Sequence, residues 1–319
     1  MPHVLVAGIL HRSGIALLTA APGVTHTHIE EISEASYQAG LATADALVIR
    51  TQPLTAASIA KATRLQIVSR HGVGYDAVDV SALNARGIPL CIVGDVNAVS
   101  VAEHAMMLIL ACAKQLIRAD RALRNGGWIW RNGLDQGEVA GKRLLIIGYG
   151  RIGRHLAPMA AAFGMQVAAH DPDLSAKGWP AGHVTPVADL AEGLAVADVV
   201  SVHIPKADRP TIGAAEIARM KRGAILINTA RGGIVDEAAL ADALRSGQIA
   251  AAGLDVFDTE PPATDHPLLS FDQVILTPHS AGLSREAAER MAIASVQNVL
   301  DHFAGRLDPA LIVNKEALR

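Results

Sequence analysis

Apolar positions recur along the chain in two series of short runs separated by stretches of helical period. In the first hundred residues, the runs at 3–8, 46–50, 65–69 and 89–93 predict strands, and the segments 14–20 and 55–62 predict helices between them. A stretch of helical period then extends over 100–124 and stops at Asn125-Gly126-Gly127. The second series predicts strands at 144–148, 166–170, 198–203, 224–228, 250–254 and 274–276, and a last helix over 284–303. Strands that alternate with helices make βαβ units, so the chain reads as α/β, with two doubly wound parallel sheets covered on both faces. One position conflicts with its surroundings. Pro158 falls inside the helix expected after Gly153, where an interior proline costs about 3 kcal/mol, so a bend or a local 3₁₀ turn is expected there.

Composition narrows the class. A length of 319 residues suits two domains, and with half the residues apolar and 18% charged, intrinsic disorder is excluded. The formal charge of −3 gives no footprint for a nucleic-acid partner. Cys91 and Cys112 are too few for a disulfide scaffold and lack CxxC spacing, so both read as buried small apolar residues in a reducing compartment. The longest apolar run, 105–113, falls short of the roughly 20 residues a membrane helix needs, and the N-terminus lacks a basic leader region. A cytoplasmic protein with no membrane partner is expected. His26 and His28 would share one side of a strand, but no third ligand is evident and no metal site is expected.

The strongest local motif is Gly148-Tyr149-Gly150-Arg151-Ile152-Gly153, which follows the apolar run 144–147 and opens a helix-period segment. In such a turn the first glycine permits the tight bend, the second lets backbone approach a pyrophosphate, and the third lets helix and strand pack closely. The helix N-terminus adds unpaired N–H groups and the positive end of its dipole. The next strand ends in Asp171, eighteen positions past Gly153, where a carboxylate can accept from adenosine ribose hydroxyls and repel a 2′-phosphate. A glycine-rich turn followed by a capping aspartate is the plain alternative. Strand, loop, helix, strand and acid in this order favour NAD, with Lys177 as the residue that would reach the extra phosphate of NADP.

Three polar residues follow the ends of separate strands in the second series: Arg231 after 224–228, Glu260 after 250–254 and His279 after 274–276. Ligands of doubly wound sheets sit beyond that edge. Oxidising a 2-hydroxy acid sends a hydride to a nicotinamide while the hydroxyl proton needs a base. His279 is the natural base, Glu260 can orient its imidazole, and Arg231 can hold a carboxylate and polarise the reacting oxygen. Singly, each has a bland reading: a surface cation, a solvated turn residue, a core or capping histidine. Their shared edge favours chemistry.

With these blocks the chain resembles the D-isomer-specific 2-hydroxyacid dehydrogenases, which include phosphoglycerate, glyoxylate, hydroxypyruvate and D-lactate dehydrogenases. The resemblance rests on 144–164, on 220–240 with Asn228-Thr229-Ala230-Arg231-Gly232-Gly233, and on 253–261 followed by Thr277-Pro278-His279-Ser280-Ala281-Gly282. It covers essentially the whole chain. It implies a Rossmann-type NAD-binding domain, 99–284, inserted into a flavodoxin-like substrate domain of 1–98 and 285–319, the last helix crossing back. Arg231, Glu260 and His279 are the implied catalytic residues. Implied cofactor contacts come from the glycine motif, Asp171, His203, Pro205, Thr229, Ala230 and Asp255, the last near the nicotinamide carboxamide. The loop Gly72-Val73-Gly74-Tyr75-Asp76 resembles the one whose N–H groups, at Val73 and Gly74, receive the substrate carboxylate. Val101-Ala102-Glu103-His104 resembles the start of the family's dimer-forming helix, which implies a homodimer. The chain departs from the family where Lys206-Ala207-Asp208-Arg209-Pro210 replaces a Leu-Thr-containing loop near the cofactor, and where Met220-Lys221-Arg222-Gly223 replaces a proline-containing turn. It stops soon after Val313-Asn314, so the regulatory tail of longer phosphoglycerate dehydrogenases, and control through it, is not expected.

The substrate is less legible. Arg50 and Arg70 sit at strand ends, at positions resembling those where phosphoglycerate dehydrogenases hold the substrate phosphate. Either they converge on a phosphate or sulfonate tail, or they pair with Asp76 or Asp79 and the substrate is glyoxylate or hydroxypyruvate. Trp128 and Trp130 are candidates for closing an apolar pocket from a partner subunit, although Trp128 also suits plain packing. A dinucleotide-sensing corepressor on the same scaffold is the alternative outside enzymes. Formate oxidation is disfavoured, because relatives of that kind carry glutamine where Glu260 stands.

Overall fold

In the computed structural model, which describes residues 1–182 and 184–318, the first apolar runs become β1 (His3–Ala7), β2 (Thr25–Ile29), β3 (Ala46–Ile49), β4 (Ile67–Arg70) and β5 (Leu90–Cys91). Between them lie α1 (Arg12–Ala20), α2 (Glu34–Leu41), α3 (Ala56–Lys61) and α4 (Val80–Asn84). Ser33, Thr55 and Asp79 cap the last three, each side-chain oxygen accepting from an N–H in the first turn. The strands form one parallel sheet in the order β2-β1-β3-β4-β5. β3 is buried at all four positions, which is why it reads as an unbroken apolar run. β2, at the edge, alternates instead: Thr25 and Thr27 face out, while His26 and His28 share the half-buried side and His28 Nε2 donates to the Gly8 carbonyl at 3.0 Å.

A second set of elements follows: α5 (Ala98–Ala113), α6 (Leu116–Arg124), β6 (Arg143–Ile147), α7 (Arg151–Ala162), β7 (Gln166–His170), α8 (Pro172–Lys177), β8 (Thr185–Pro186), α9 (Leu190–Val196), β9 (Val199–Val202), α10 (Ala214–Arg219), β10 (Ala224–Asn228), α11 (Glu237–Ser246), β11 (Ile249–Leu254) and β12 (Val274–Leu276). Its seven strands are all parallel, in the order β12-β11-β10-β9-β6-β7-β8. Strand order reverses between β6 and β9, which makes their carboxyl ends the switch point where such sheets open a crevice. The last helix, α12 (Arg285–Phe303), returns to the first sheet and packs on α1, where a Cβ on Gly14 would come within 3.0 Å of the Ala292 Cβ. Asn298 of α12 donates to Ser69 Oγ and to the Ile92 carbonyl, so the returning helix is tied to β4 and the end of β5. The chain thus divides into Met1–Asn97 with Leu283–Arg319, and Ala98–Gly282, against divisions at 98/99 and 284/285 from the sequence.

One local expectation needs correction, and one alternative of a second falls away. The helical stretch 100–124 is not one helix. It breaks at Lys114-Gln115, where Gln115 is left-handed (φ 50°), and the two parts meet at 58°. The apolar period runs on across the break, but the surroundings change: α5 is largely buried and α6 has no buried residue. Freed polar groups find partners in a following loop, Gln136 Nε2 donating to the Lys114 carbonyl and Gln115 Nε2 to that of Asp135. At Pro158 no 3₁₀ turn appears. α7 continues as α-helix from Arg151 through Ala162, with the proline on its exposed face, where the carbonyl left without an N–H partner can meet water. Among the described residues, no single helix is long and apolar enough to cross a membrane. Cys91 and Cys112 are both buried, and burial pushes each thiol up to about 12.

Candidate active site

The glycine turn occupies the switch point. A Cβ on Gly148 (φ 93°) would lie 2.5 Å from the His203 carbonyl oxygen at the end of β9, so the loops after β6 and β9 touch only because this residue has no side chain. A Cβ on Gly153 would lie 2.5 Å from the Gly148 carbonyl oxygen, which is the close approach of α7 to its strand. Gly150 is the exception: a Cβ there would meet nothing within 4 Å. It caps α7 and faces open space, as a phosphate cradle requires. Arg151 and Ile152 form the first turn of α7 behind it.

Asp171 does more than end β7. Its carboxylate accepts from Tyr149 N at 2.9 Å and from Leu174 N at 3.1 Å, so it clamps the glycine turn and caps α8 together. Each oxygen keeps a lone pair for a ribose hydroxyl. On the next two strands, buried polar atoms lack partners. His203 accepts or donates at Nε2 with Ser201 Oγ (2.9 Å), but its Nδ1 has none, and burial lowers its pKa to about 4. Thr229 Oγ1, one residue past β10, is likewise buried without a partner. Such atoms cost about 1–3 kcal/mol each when left dry, so they fit a site that a polar ligand completes. Pro205 lies exposed in the loop past His203, and Ala230 is buried beside Thr229.

The three catalytic candidates follow β10, β11 and β12, which are adjacent in the sheet, and the parallel register carries all three to one edge. Asn228 shapes the first turn, accepting from Ala230 N and donating to the Arg231 carbonyl. Arg231 Nη1 donates to the Ala230 carbonyl at 2.7 Å. Glu260 accepts from Phe257 N at Oε1 (3.1 Å), and its Oε2 lies 2.7 Å from His279 Nδ1. His279 is half-exposed and left-handed (φ 51°), an unusual conformation for a residue with a side chain.

Asp255, expected beside the nicotinamide, is 1% exposed, and its carboxylate accepts three hydrogen bonds. Oδ1 accepts from Thr277 Oγ1 (2.5 Å) and Ser280 N (2.9 Å), and Oδ2 from Ala281 N (2.9 Å). In the structure, then, its carboxylate holds the turn that carries His279. His104, expected to open a dimer helix, also belongs here: its Nε2 lies 3.0 Å from Thr277 Oγ1 and 3.8 Å from Asp255 Oδ1. No motif announces this pair, because 173 residues separate the partners.

The substrate candidates lie in the first unit. Arg70 Nη1 donates to the carbonyls of Ile49 (3.4 Å) and His71 (3.0 Å), and its guanidinium lies along Gly72, ahead of Val73 and Gly74. Asp79, one of the acids offered as a partner for the arginines, instead caps α4 and holds Ser81 Oγ. Arg50 is half-buried, and burial lowers its pKa; among the described residues its guanidinium makes no hydrogen bond or ion pair. Both cations act on His71, whose pKa falls to about 4, mainly through burial and then through Arg50 and Arg70.

Residues 106–281 match the family described as D-isomer specific 2-hydroxyacid dehydrogenase, NAD binding domain. The chain belongs to the D-isomer-specific 2-hydroxyacid dehydrogenase family. It is 40% identical over 314 residues to a D-3-phosphoglycerate dehydrogenase of Mycobacterium leprae, an alignment covering 97% of this chain and 58% of that one. The chain thus spans little more than half the length of that relative. It is also 40% identical over 260 residues to a hydroxypyruvate reductase of Thermotoga maritima, covering 80% of this chain and 83% of that one. Among solved structures of this dehydrogenase family, an NADPH-dependent glyoxylate/hydroxypyruvate reductase from Sinorhizobium meliloti, in complex with citrate, superimposes with a TM-score of 0.85. It is 32% identical and covers 95% of each chain. The two parallel α/β sheets are therefore this dehydrogenase family's architecture, and the glycine turn lies inside its NAD-binding domain.

Proposed function

We propose that the chain is an NAD-dependent oxidoreductase that moves a hydride between the nicotinamide and C2 of a D-2-hydroxy acid or its 2-keto counterpart. The observation that carries this reading is the contact of 2.7 Å between His279 Nδ1 and Glu260 Oε2. A carboxylate at that nitrogen holds the proton on Nδ1 and leaves Nε2 to take the hydroxyl proton in oxidation or return it in reduction. The same carboxylate stabilises the imidazolium formed meanwhile, and Phe257 N keeps the carboxylate in place. Arg231, from the adjacent turn, receives the substrate carboxylate and polarises the reacting oxygen with a planar fork. Bound NAD would supply the hydride acceptor, held by the Gly150 cradle, Asp171 and the two unpartnered atoms of His203 and Thr229.

The half-buried Arg50, without a counter-ion among the described residues, supports a substrate with a second anionic group, received by Arg50 and Arg70. The relatives named D-3-phosphoglycerate dehydrogenase make a phosphate tail the first to try, and the hydroxypyruvate and glyoxylate reductases make the small acids the second. The deciding experiment is initial-rate NADH oxidation with glyoxylate, hydroxypyruvate, phosphohydroxypyruvate, sulfopyruvate and pyruvate, on wild type and on Arg50→Gln. Preference for a phospho or sulfo acid, lost in the variant, supports the dianion. Preference for small acids, unchanged in the variant, makes Arg50 structural. No turnover with NADH still bound would overturn the enzyme in favour of a dinucleotide sensor.

We further infer a homodimer. α6 and the 3₁₀ turn Trp128–Gly133 form an arm with apolar residues turned outward: Trp128 is 67%, Ile129 76% and Leu134 88% exposed. A second copy is the partner that would cover them. A monomer in sedimentation at micromolar concentration would overturn this.

A further inference from the structure

We propose that His104 is a positioning residue for His279, acting through Thr277 and Asp255. The inference rests on the reading of His279 as the base.

The left-handed backbone of His279 is one that L-residues adopt at a cost of about 1–2 kcal/mol, so the surroundings must hold it. Asp255 does most of this. Its main-chain carbonyl accepts from His279 N at 2.8 Å, and its carboxylate accepts from the next two amides, Ser280 N and Ala281 N. The third contact to the carboxylate comes from the Thr277 hydroxyl. A hydroxyl has one proton. Given to Asp255, it leaves the Thr277 oxygen as an acceptor, and the donor within reach is His104 Nε2 at 3.0 Å. The chain of donation therefore runs from His104 through Thr277 to Asp255, and the carboxylate sets the two amides that follow the base.

The platform under this chain is rigid. His104 sits on α5 between buried Ala102, Ala105 and Leu108, and a Cβ on Gly253 of β11 would come within 2.9 Å of the Leu108 Cβ. Without the imidazole, nothing fixes the Thr277 hydroxyl toward Asp255. The carboxylate then loses its shortest contact, and the turn gains freedom at the residue where position matters most. Nε2 carries a proton in this arrangement, so it is a donor whether or not Nδ1 is protonated as well.

The test compares His104→Phe, His104→Gln and Thr277→Val with wild type, by steady-state kinetics, NADH fluorescence titration and thermal melting. Glutamine places an N–H near the position of Nε2. Loss of about tenfold in kcat for His104→Phe is expected, with the Kd for NADH and the KM for the keto acid within about twofold. His104→Gln should recover most of that loss, and His104→Phe should add nothing in a Thr277→Val background. An unchanged kcat in His104→Phe, no rescue by glutamine, or additive losses in the double variant would overturn the proposal. If His104→Phe does not fold, Thr277→Val and His104→Gln carry the same comparison. Should His279→Asn keep wild-type turnover, the reading of His279 as the base fails, and this is distinguishable from failure at His104 alone.

Discussion

Gly232 lies against Phe257 so closely that a Cβ on the glycine would sit 1.8 Å from the Phe257 carbonyl oxygen. The turn carrying Arg231 is thereby seated on the loop carrying Glu260. The same loop starts at Asp255, whose side chain grips the turn carrying His279. The loop after β11 is thus the keystone of the three, with Arg231 locked to one side and His279 to the other.

Gly232→Ala should therefore act on chemistry. The methyl group cannot fit without displacing Phe257 and Asp258 backbone, a strain of about 1–3 kcal/mol, and Glu260 hangs from Phe257 N. A fall in kcat of about 100-fold is expected, with NADH affinity nearly unchanged. Normal kcat in a folded variant would mean the loop moves freely and does not register the two turns.

Removing the base should cost more than removing its orienter. His279→Asn is expected to lower kcat by about 10²–10⁴, and Glu260→Gln by less, because an amide can still accept from Nδ1 but cannot stabilise an imidazolium. NADH titration checks that binding survives in both. Equal losses would place the carboxylate in the chemistry itself.

The glycines of the motif should separate by function. Gly150→Ala meets open space, so the protein should melt as wild type does while NADH affinity falls about tenfold or more. Gly153→Ala meets backbone at 2.5 Å and should lower the melting temperature, with weakened binding as a consequence. The opposite pattern would move the phosphates away from Gly150.

Acid should destabilise the fold through two histidines. His71 and His203 are held neutral, each with a pKa lowered from 6.5 to about 4. Between those values the unfolded chain binds protons that the folded chain refuses. Their contribution is therefore complete above pH 6.5 and disappears as pH falls toward 4. Urea midpoints measured across that window should drop for wild type and drop less for His203→Asn. Identical slopes would show that His203 takes up its proton without unfolding.

How much was legible depended on how far apart the interacting residues lie. The glycine turn can be read from six residues, since Gly148 needs its positive φ and Gly153 packs on Gly148 and Ile146, although the contact of Gly148 with His203 belongs to the tertiary fold. Buried parallel strands such as 46–49 and 144–147 announce themselves as apolar runs because both faces are covered. The two-residue β8, half-exposed helices such as α10 and the break at Gln115 carry no comparable signal. At Gln115 the helical period continues while the packing around it changes.

The sequence by itself determined the two alternating series, the nucleotide turn and the residue types available for acid–base work, because each follows from local sterics or burial. Tertiary structure alone decided what those residues do together. Sheet order brings Arg231, Glu260 and His279 to one edge from three separate strands. Asp255 became the holder of the His279 turn because its partners lie 22 to 26 residues away, and His104 reached Thr277 of that turn from across 173. No local pattern encodes such a contact, since the free energy that selects it comes from burying polar groups against one another only after the sheet has formed.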